Sequence, residues 1–415
     1  MMIAALALAA CGLGGQSNAS NNTKGPIKIW YSNNAQEVQW GAAMVSAWNQ
    51  QHPKEQVSGE QIPAGKTSEE VIGAAITAGT TPCLIYNTAP AAVLQFQKQG
   101  GLVDLSQFSG ANSFIESRTG ARAKQYRSPD GGYYQMPWKT NPVMIFYNKD
   151  LFQKAGLDPE HPQLNTYDQF LTTSEQLVAK GVRAAIWPSP TSEFFQPWFD
   201  YYPLFIAQTK GKQLVENGQP QFDNSDGIAV AQFLRQMYAK GLAPKEAAQG
   251  DAFGTGEAAM ASFGPAVIAQ YSNIHWGVVP VPTKDGVPAD QVHTFSDEKS
   301  VGMYSSCKNK GTAWDFLEFT MSQDNDGKLL SITGQMPMRT NLPATYPSYF
   351  QAHQEYKVFA DQAARTVEVP NVPNSTEIWQ EFRNEYSKAV IFGSEPIDQA
   401  LKQAADKIKQ LAGSK

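Results

Sequence analysis

The sequence predicts an α/β protein, and three observations carry the prediction. Segments with helical periodicity alternate with short apolar runs along the chain. Runs such as Pro142-Val-Met-Ile-Phe-Tyr are apolar and brief, which suits buried strands. The chain has 415 residues, 42% hydrophobic and 17% charged, so it is an ordinary globular chain with room for two or three domains. A formal charge of -5 argues against nucleic-acid binding, because no basic stripe exists to meet a phosphate backbone. No repeat at a fixed period is visible.

The elements follow in chain order. Met1 to Ala10 is an unbroken apolar run, too short to span a bilayer. It ends Leu8-Ala9-Ala10-Cys11-Gly12, which resembles a bacterial lipobox, so residues 1-11 are expected to be a lipoprotein signal remnant with Cys11 carrying lipid. The basic stretch that should precede such a core is missing. Residues 12-25 are rich in Gly, Asn and Ser and predict a flexible tether. Of the other two cysteines, Cys83 and Cys307, a pair is possible in an exported protein, but two small buried thiols are expected.

Ile27-Lys-Ile-Trp-Tyr reads as the first strand, with Asn33 and Asn34 in the loop beyond it. Ligands of open α/β sheets collect past such strand ends, so both asparagines are candidates, against a plain turn role. A helix follows with Trp40, Met44 and Trp48 on it, closed by His52-Pro53. Cys83-Leu-Ile-Tyr-Asn is a second strand whose end offers Tyr86 and Asn87. Asn148-Lys-Asp opens a helix after the 142-147 run, with Gly156 as its stop. Asn165 or Thr166 caps the next helix, whose Tyr167, Phe170, Leu171 and Leu177 share a face.

Trp187 to Phe205 is the densest aromatic stretch. Most of its rings are expected in the core. Glu193 with Phe194, Phe195 and Trp198 sets a carboxylate beside flat rings. Asp223-Asn-Ser-Asp begins a helix that runs to Gly241. Gly254-Thr-Gly-Glu-Ala-Ala has the outline of a dinucleotide loop, but no strand precedes it. Asp297-Glu298-Lys299 is a charged turn before the strand Val301 to Tyr304, and Arg339 is a further polar candidate. Trp379 follows Pro370-Asn-Val-Pro and stands either in the core above Phe382 and Tyr386 or against a ligand.

Several of these stretches resemble the bacterial extracellular solute-binding proteins of the maltose-binding family. They are Tyr147-Asn-Lys-Asp-Leu-Phe with Ala155-Gly-Leu, Phe253 with Gly256-Glu-Ala-Ala-Met, and Trp276-Gly-Val-Val-Pro-Val-Pro. Lys308-Asn-Lys-Gly-Thr-Ala-Trp-Asp-Phe-Leu, Gly334-Gln-Met-Pro-Met-Arg and Pro370-Asn-Val-Pro with Trp379 complete the set in family order. The resemblance runs from Ile27 to Leu411 and implies a two-lobed periplasmic-binding-protein-like fold of type II, with lobes joined by several hinge crossings. It implies an N-terminal lobe of residues 26-139 plus 281-341 and a C-terminal lobe of residues 140-280 plus 342-415, with crossings near Lys139, Val281 and Leu342. It places Lys139 and Asn141 at the hinge facing ligand, and it takes 256-260 as a helix start. It also implies that Glu193 and the aromatics after it meet a sugar, whose C–H faces stack on flat rings and whose hydroxyl rims meet planar polar groups. Two departures stand out. Cys83 replaces an expected Asp, and Ala266 of Gly264-Pro265-Ala266 replaces a ligand-stacking Trp.

The candidate ligand set is therefore Asn33, Asn34, Tyr86, Asn87, Lys139, Asn141, Trp187, Glu193, Phe194, Phe195, Trp198, Gly264, Asp297, Arg339 and Trp379. The function this implies is capture of a carbohydrate, an oligosaccharide, between the lobes and its delivery to the membrane permease of an ABC transporter. The expected protein is a monomer without cofactor or metal, on the extracytoplasmic face of the membrane or in the periplasm. A glycerol-phosphate-type ligand and a sensor role with a partner kinase are alternatives within the fold. A glycosidase is the alternative from another class, since two carboxylates suffice for it. The five histidines are scattered, and neither a Gly-x-Ser-x-Gly elbow nor a P-loop occurs.

Overall fold

The computed structural model describes residues 21–65 and 67–413. Cys11 and most of the expected tether lie outside them. The last residues of that tether are docked on the body. Asn21 is buried and donates to Gln107 at 3.1 Å, and Lys24 donates to the Gly311 carbonyl at 3.2 Å.

Local chemistry sets many element boundaries. Asn148 caps the helix Lys149–Lys154 by accepting from the amides of Asp150 and Leu151, and Gly156 leaves it at φ 77°. Thr166 and Gln169 form a capping box on the helix Tyr167–Ala179, and Asn224 caps Ser225–Ala239. Among the described residues no helix is long and apolar enough to cross a membrane.

The strands in chain order are β1 (Ile27–Tyr31), β2 (Val57–Gln61), β3 (Leu84–Thr88), β4 (Met136–Thr140) and β5 (Met144–Asn148). Then come β6 (Ala184–Ile186), β7 (Val215–Glu216), β8 (Gln219–Pro220), β9 (Ala258–Phe263) and β10 (Trp276–Val279). The last are β11 (Thr294–Phe295), β12 (Lys299–Met303), β13 (Met336–Pro337) and β14 (Thr366–Val367). One sheet has the order β13-β4-β12-β3-β1-β2, and a second has β10-β5-β9-β6. In the first, β1 runs parallel to β2 and β3, while β12 runs antiparallel to β3 and β4. Each sheet carries its own lobe.

Both faces of each sheet are covered. Leu84 and Tyr86 of β3 enter one core with Trp40 and Met44, whereas Ile85 enters another with Ile72 and Phe96. In β5, Ile145 and Tyr147 pack with Phe170 and Leu177, and Met144 and Phe146 pack with Tyr271 and Phe359. Only residues 141–143 separate β4 from β5, so the chain steps directly from one sheet into the other. The amide of Asn141 donates to Ser296 Oγ at 2.9 Å there, and β11 pairs with β14 beside it. Several segments thus cross between the lobes side by side.

Two expectations are corrected. Residues 258-263, whose opening was expected to start a helix, form β9, held by β5 on one side and β6 on the other. Long-range pairing overrides the helical preference of Ala-Ala-Met, and Ala258, Ala259 and Met260 are buried in the sheet. Cys83 and Cys307 are a disulfide rather than two thiols. The amide of Tyr304 donates to the Cys83 carbonyl at 2.9 Å, so β12 delivers Cys307 to the start of β3.

Candidate functional site

Most of the candidate residues gather where strand-end loops of one lobe meet loops of the other. On the N-terminal side, Asn34 ends the β1 loop and caps the helix Ala35–Gln51, its Oδ1 accepting from the amides of Gln36 and Glu37. Its carbonyl oxygen is thereby committed to the helix, while Asn33 is exposed beside it. The cap sets Glu37 on the buried side of the first turn, where Lys139 from β4 pairs with it. Gln335 donates to the same Glu37 oxygen at 2.8 Å and Ser32 to the other. Burial pushes the Glu37 carboxyl up, but the Lys139 ammonium and these hydrogen bonds outweigh it and hold the group below the usual carboxylate range. Burial lowers Lys139 against the pull of Glu37. Sequence reasoning missed Glu37 and Gln335. A buried acid opposite a buried lysine leaves no local pattern, though Glu37 in a first helical turn is a weak hint.

At the end of β3, Asn87 has φ 66° and is half-buried, as a left-handed Asn in a tight turn. Tyr86 turns the other way. Its ring is enclosed between Trp40 and Trp138, and its hydroxyl meets Thr320 at 2.8 Å. The turn Pro90–Ala92 that follows β3 packs on the helix Ser375–Tyr386 of the other lobe. Ala91 belongs to the same apolar cluster as Trp198 and Trp379.

That cluster collects most of the aromatic candidates. Phe194 meets Phe195 and Trp198 at ring distances of 5.4 and 5.6 Å, and Trp198 meets Trp379 at 5.7 Å. Trp379 also meets Tyr202 at 4.8 Å. Phe194, Trp198 and Trp379 are buried, and Phe195 and Glu193 are half-buried. The Glu193 loop is tied to the Trp379 helix, since Arg383 donates twice to the Thr191 carbonyl and Gln380 to that of Ser192. Glu193 is also a favourable charge for Arg383.

Asn141 and Gly264 meet at the hinge. The Oδ1 of Asn141 accepts from the Ala266 amide at 3.1 Å, and a side chain on Gly264 would strike the Asn141 carboxamide. Asp297 stands at the same hinge, its amide donating to the Asn141 carbonyl at 3.2 Å and its carboxylate paired with Lys299. Two candidates stand elsewhere. Trp187 donates to the Glu246 carbonyl at 2.8 Å under the guanidinium of Arg183. Arg339 is turned to Asp326, at 2.9 Å, with Arg118 on that carboxylate's other side. Among the described residues no group of three His, Cys, Asp or Glu is placed to hold a metal ion.

A model of the family described as bacterial extracellular solute-binding protein matches residues 43–358, most of the chain. The maltodextrin-binding protein MdxE of Bacillus subtilis is 22% identical over 298 residues, 68% of this chain and 66% of that protein. The sn-glycerol-3-phosphate-binding periplasmic protein UgpB of Salmonella typhimurium is 24% identical over 416 aligned residues, 93% of this chain and 92% of that protein. Among solved structures, the cyclic alpha-maltosyl-1,6-maltose binding protein of Arthrobacter globiformis matches with a TM-score of 0.79 at 20% identity, over 94% of this chain and 99% of that one. Its likeness establishes the fold as that of the two-lobed binding proteins. The family match and the ordered motifs agree from the first helix to the last crossing, and the chain belongs to the bacterial extracellular solute-binding proteins.

Proposed function

We propose that this protein captures an oligosaccharide between its lobes and presents it to the permease of an ABC importer, tethered outside the membrane through lipid on Cys11. The observation that carries the reading is the aromatic cluster at the lobe boundary, where Trp198 and Trp379 lie behind half-buried Phe195 and Glu193 and against Ala91 of the facing lobe. Rings stack on sugar C–H faces and a carboxylate accepts from hydroxyls. Asn33, Asn87 and the half-buried Ala266 complete the proposed binding set, in which Tyr86 has no part because its ring is enclosed. Having Ala rather than Trp at 266 leaves room where a ring would stack, which favours a branched or cyclic saccharide over a linear maltodextrin. The names of MdxE and the Arthrobacter protein support a saccharide. The lobes are proposed as residues 26-139 with about 297-341 and residues 140-296 with 342-415; the boundary expected at Val281 moves because Val281, Val292 and Phe295 pack in one core with Trp198 and Trp379. Binding free energy spent across the boundary favours the closed form.

The similarity to UgpB supports a second reading, a glycerol-phosphate ligand in the same cleft. A thermal-shift screen over mono- and oligosaccharides and glycerophosphodiesters decides between them. The saccharide reading expects an oligosaccharide to raise the melting temperature and to compact the protein in X-ray scattering. Stabilisation and compaction by a glycerophosphodiester alone would overturn it.

A further inference from the structure

We propose that a second groove, formed by the crossing segments, is an anion site for a phosphate-sized oxyanion held by the guanidinium groups of Arg122 and Arg365. The groove has a volume of about 920 Å3. Its walls come from both lobes, with Arg122 and Thr340 on one side and Met144, Pro280 and Arg365 on the other. None of Asn33, Glu193, Phe195 and Trp379 lines it, so it is distinct from the proposed saccharide cleft.

The argument rests on how these arginines are partnered. Arg365 donates to the carbonyls of Val292 and Asp361 at 3.2 Å each and to the Gln362 side-chain oxygen at 3.3 Å. All three acceptors are neutral, and among the described residues Arg365 forms no ion pair. Arg122 makes only long contacts, at 3.5 Å to the hydroxyls of Thr140 and Thr366 and at 3.6 Å to Glu298. Glu298 is itself a poor counter-charge. Burial pushes its carboxyl up despite Arg122, which weakens it as a partner. The neighbouring Glu368 is raised as well, by burial and then by Glu298.

A partly buried guanidinium without an ionised partner, as at Arg365, is costly, and a second one in the same groove whose ion pair to Glu298 is long, at 3.6 Å, leaves the two to share an anion. Arginine's planar fork matches an oxyanion with two parallel hydrogen bonds. Arg339 adds a third positive charge to the lining, although Asp326 already engages it. The carboxylates on the lining, Asp290 and Asp361, are exposed to solvent, where their repulsion of an anion is screened.

The test is calorimetric titration of the whole protein with inorganic phosphate and, in parallel, with glycerol 3-phosphate, at constant ionic strength set by chloride. Saturable binding of either is expected, and the tighter of the two names the source of the phosphoryl group. Arg365→Gln and Arg122→Gln are each expected to weaken it roughly tenfold or more, the loss of one charge-assisted fork. The melting transition of Arg365→Gln without ligand should stay cooperative and close to that of wild type, which shows that the variant is folded. No saturable heat, or equal binding in wild type and Arg365→Gln, would overturn the site. If the saccharide reading fails while phosphate binding is still lost in Arg365→Gln, the anion site stands alone.

Discussion

Trp198 and Trp379 meet edge to face, their ring centroids 5.7 Å apart and their planes 77° apart. One ring comes from the turn Gln196–Phe199 and the other from the helix Ser375–Tyr386, so this contact joins two distant parts of the chain. It also makes the aromatic wall of the proposed cleft part of the core of its lobe. Rigidity of that wall is useful to a receptor, because rings already locked by packing lose little entropy when a sugar stacks on what they support.

Trp379→Ala is therefore expected to cost about 3 to 5 kcal/mol of stability, the range for removing a fully buried large aromatic. Trp379→Phe keeps a ring against Trp198 and Tyr202 and should fold with a smaller loss. Urea unfolding measures both. Saccharide titration of the Phe variant then separates packing from recognition, since the proposed function expects weaker binding in a protein that is still folded.

The pair Lys139 and Glu37 is the second point of tension. Both are buried and they neutralise each other across β4 and the first helix. Lys139→Met leaves the Glu37 charge without its partner and should destabilise by about 3 to 5 kcal/mol. The double variant Lys139→Met with Glu37→Leu removes both charges and should recover much of that loss. A double-mutant cycle from denaturant midpoints checks it, and a double variant as unstable as the sum of the singles would refute the account.

What the sequence disclosed follows the range of each interaction. The helix starts at Asn148, at Asn165 or Thr166, and at Asp223-Asn-Ser-Asp were legible because a capping donor and acceptor lie within three residues of each other. So was the strand over Met144 to Tyr147, whose apolar run is continuous because both faces of β5 are covered. The helix expected at 256-260 fails because partners in β5 and β6, far along the chain, make it a strand. Tyr86 shows the same limit at one residue. Alternation says that Tyr86 and Asn87 face opposite ways, but not which of them faces the core. The motif order carried the family, while the Glu37–Lys139–Gln335 cluster was invisible because its members come from three separate elements.

The disulfide between Cys83 and Cys307 closes a loop of 224 residues in sequence separation. By chain entropy such a long loop is worth about 5 kcal/mol, and measured gains are more often about 2 to 4. The bridge sits at the start of β3, whereas Asn87 and the Pro90–Ala92 turn lie at or beyond its far end. Reduction, or Cys83→Ala with Cys307→Ala, should lower the melting temperature and leave saccharide affinity unchanged. Calorimetry in the presence and absence of reductant tests this. A loss of affinity without a loss of stability would place the bridge in the binding site instead.

Asp200 gives a pH dependence whose sign is fixed by its surroundings. It is buried at the start of the helix Tyr201–Gln208 and accepts from Gln196 Nε2 and the Tyr386 hydroxyl, each at 2.7 Å. Burial nevertheless pushes its carboxyl from 3.8 up to about 6, and no cation among the described residues pairs with it. A folded value above the unfolded one means the fold favours the protonated acid. The stabilisation from this group is complete below pH 3.8 and is lost as pH rises to about 6, beyond which it stays constant. A shift of this size corresponds to about 3 kcal/mol. Asp200→Asn removes the titration, so the stability of wild type relative to Asp200→Asn should fall across that window and then level. Other carboxylates titrate over the same range, and taking the difference between the two proteins cancels them. Denaturant unfolding at a series of pH values measures it, and a difference that rises with pH would show that Asp200 is held ionised after all.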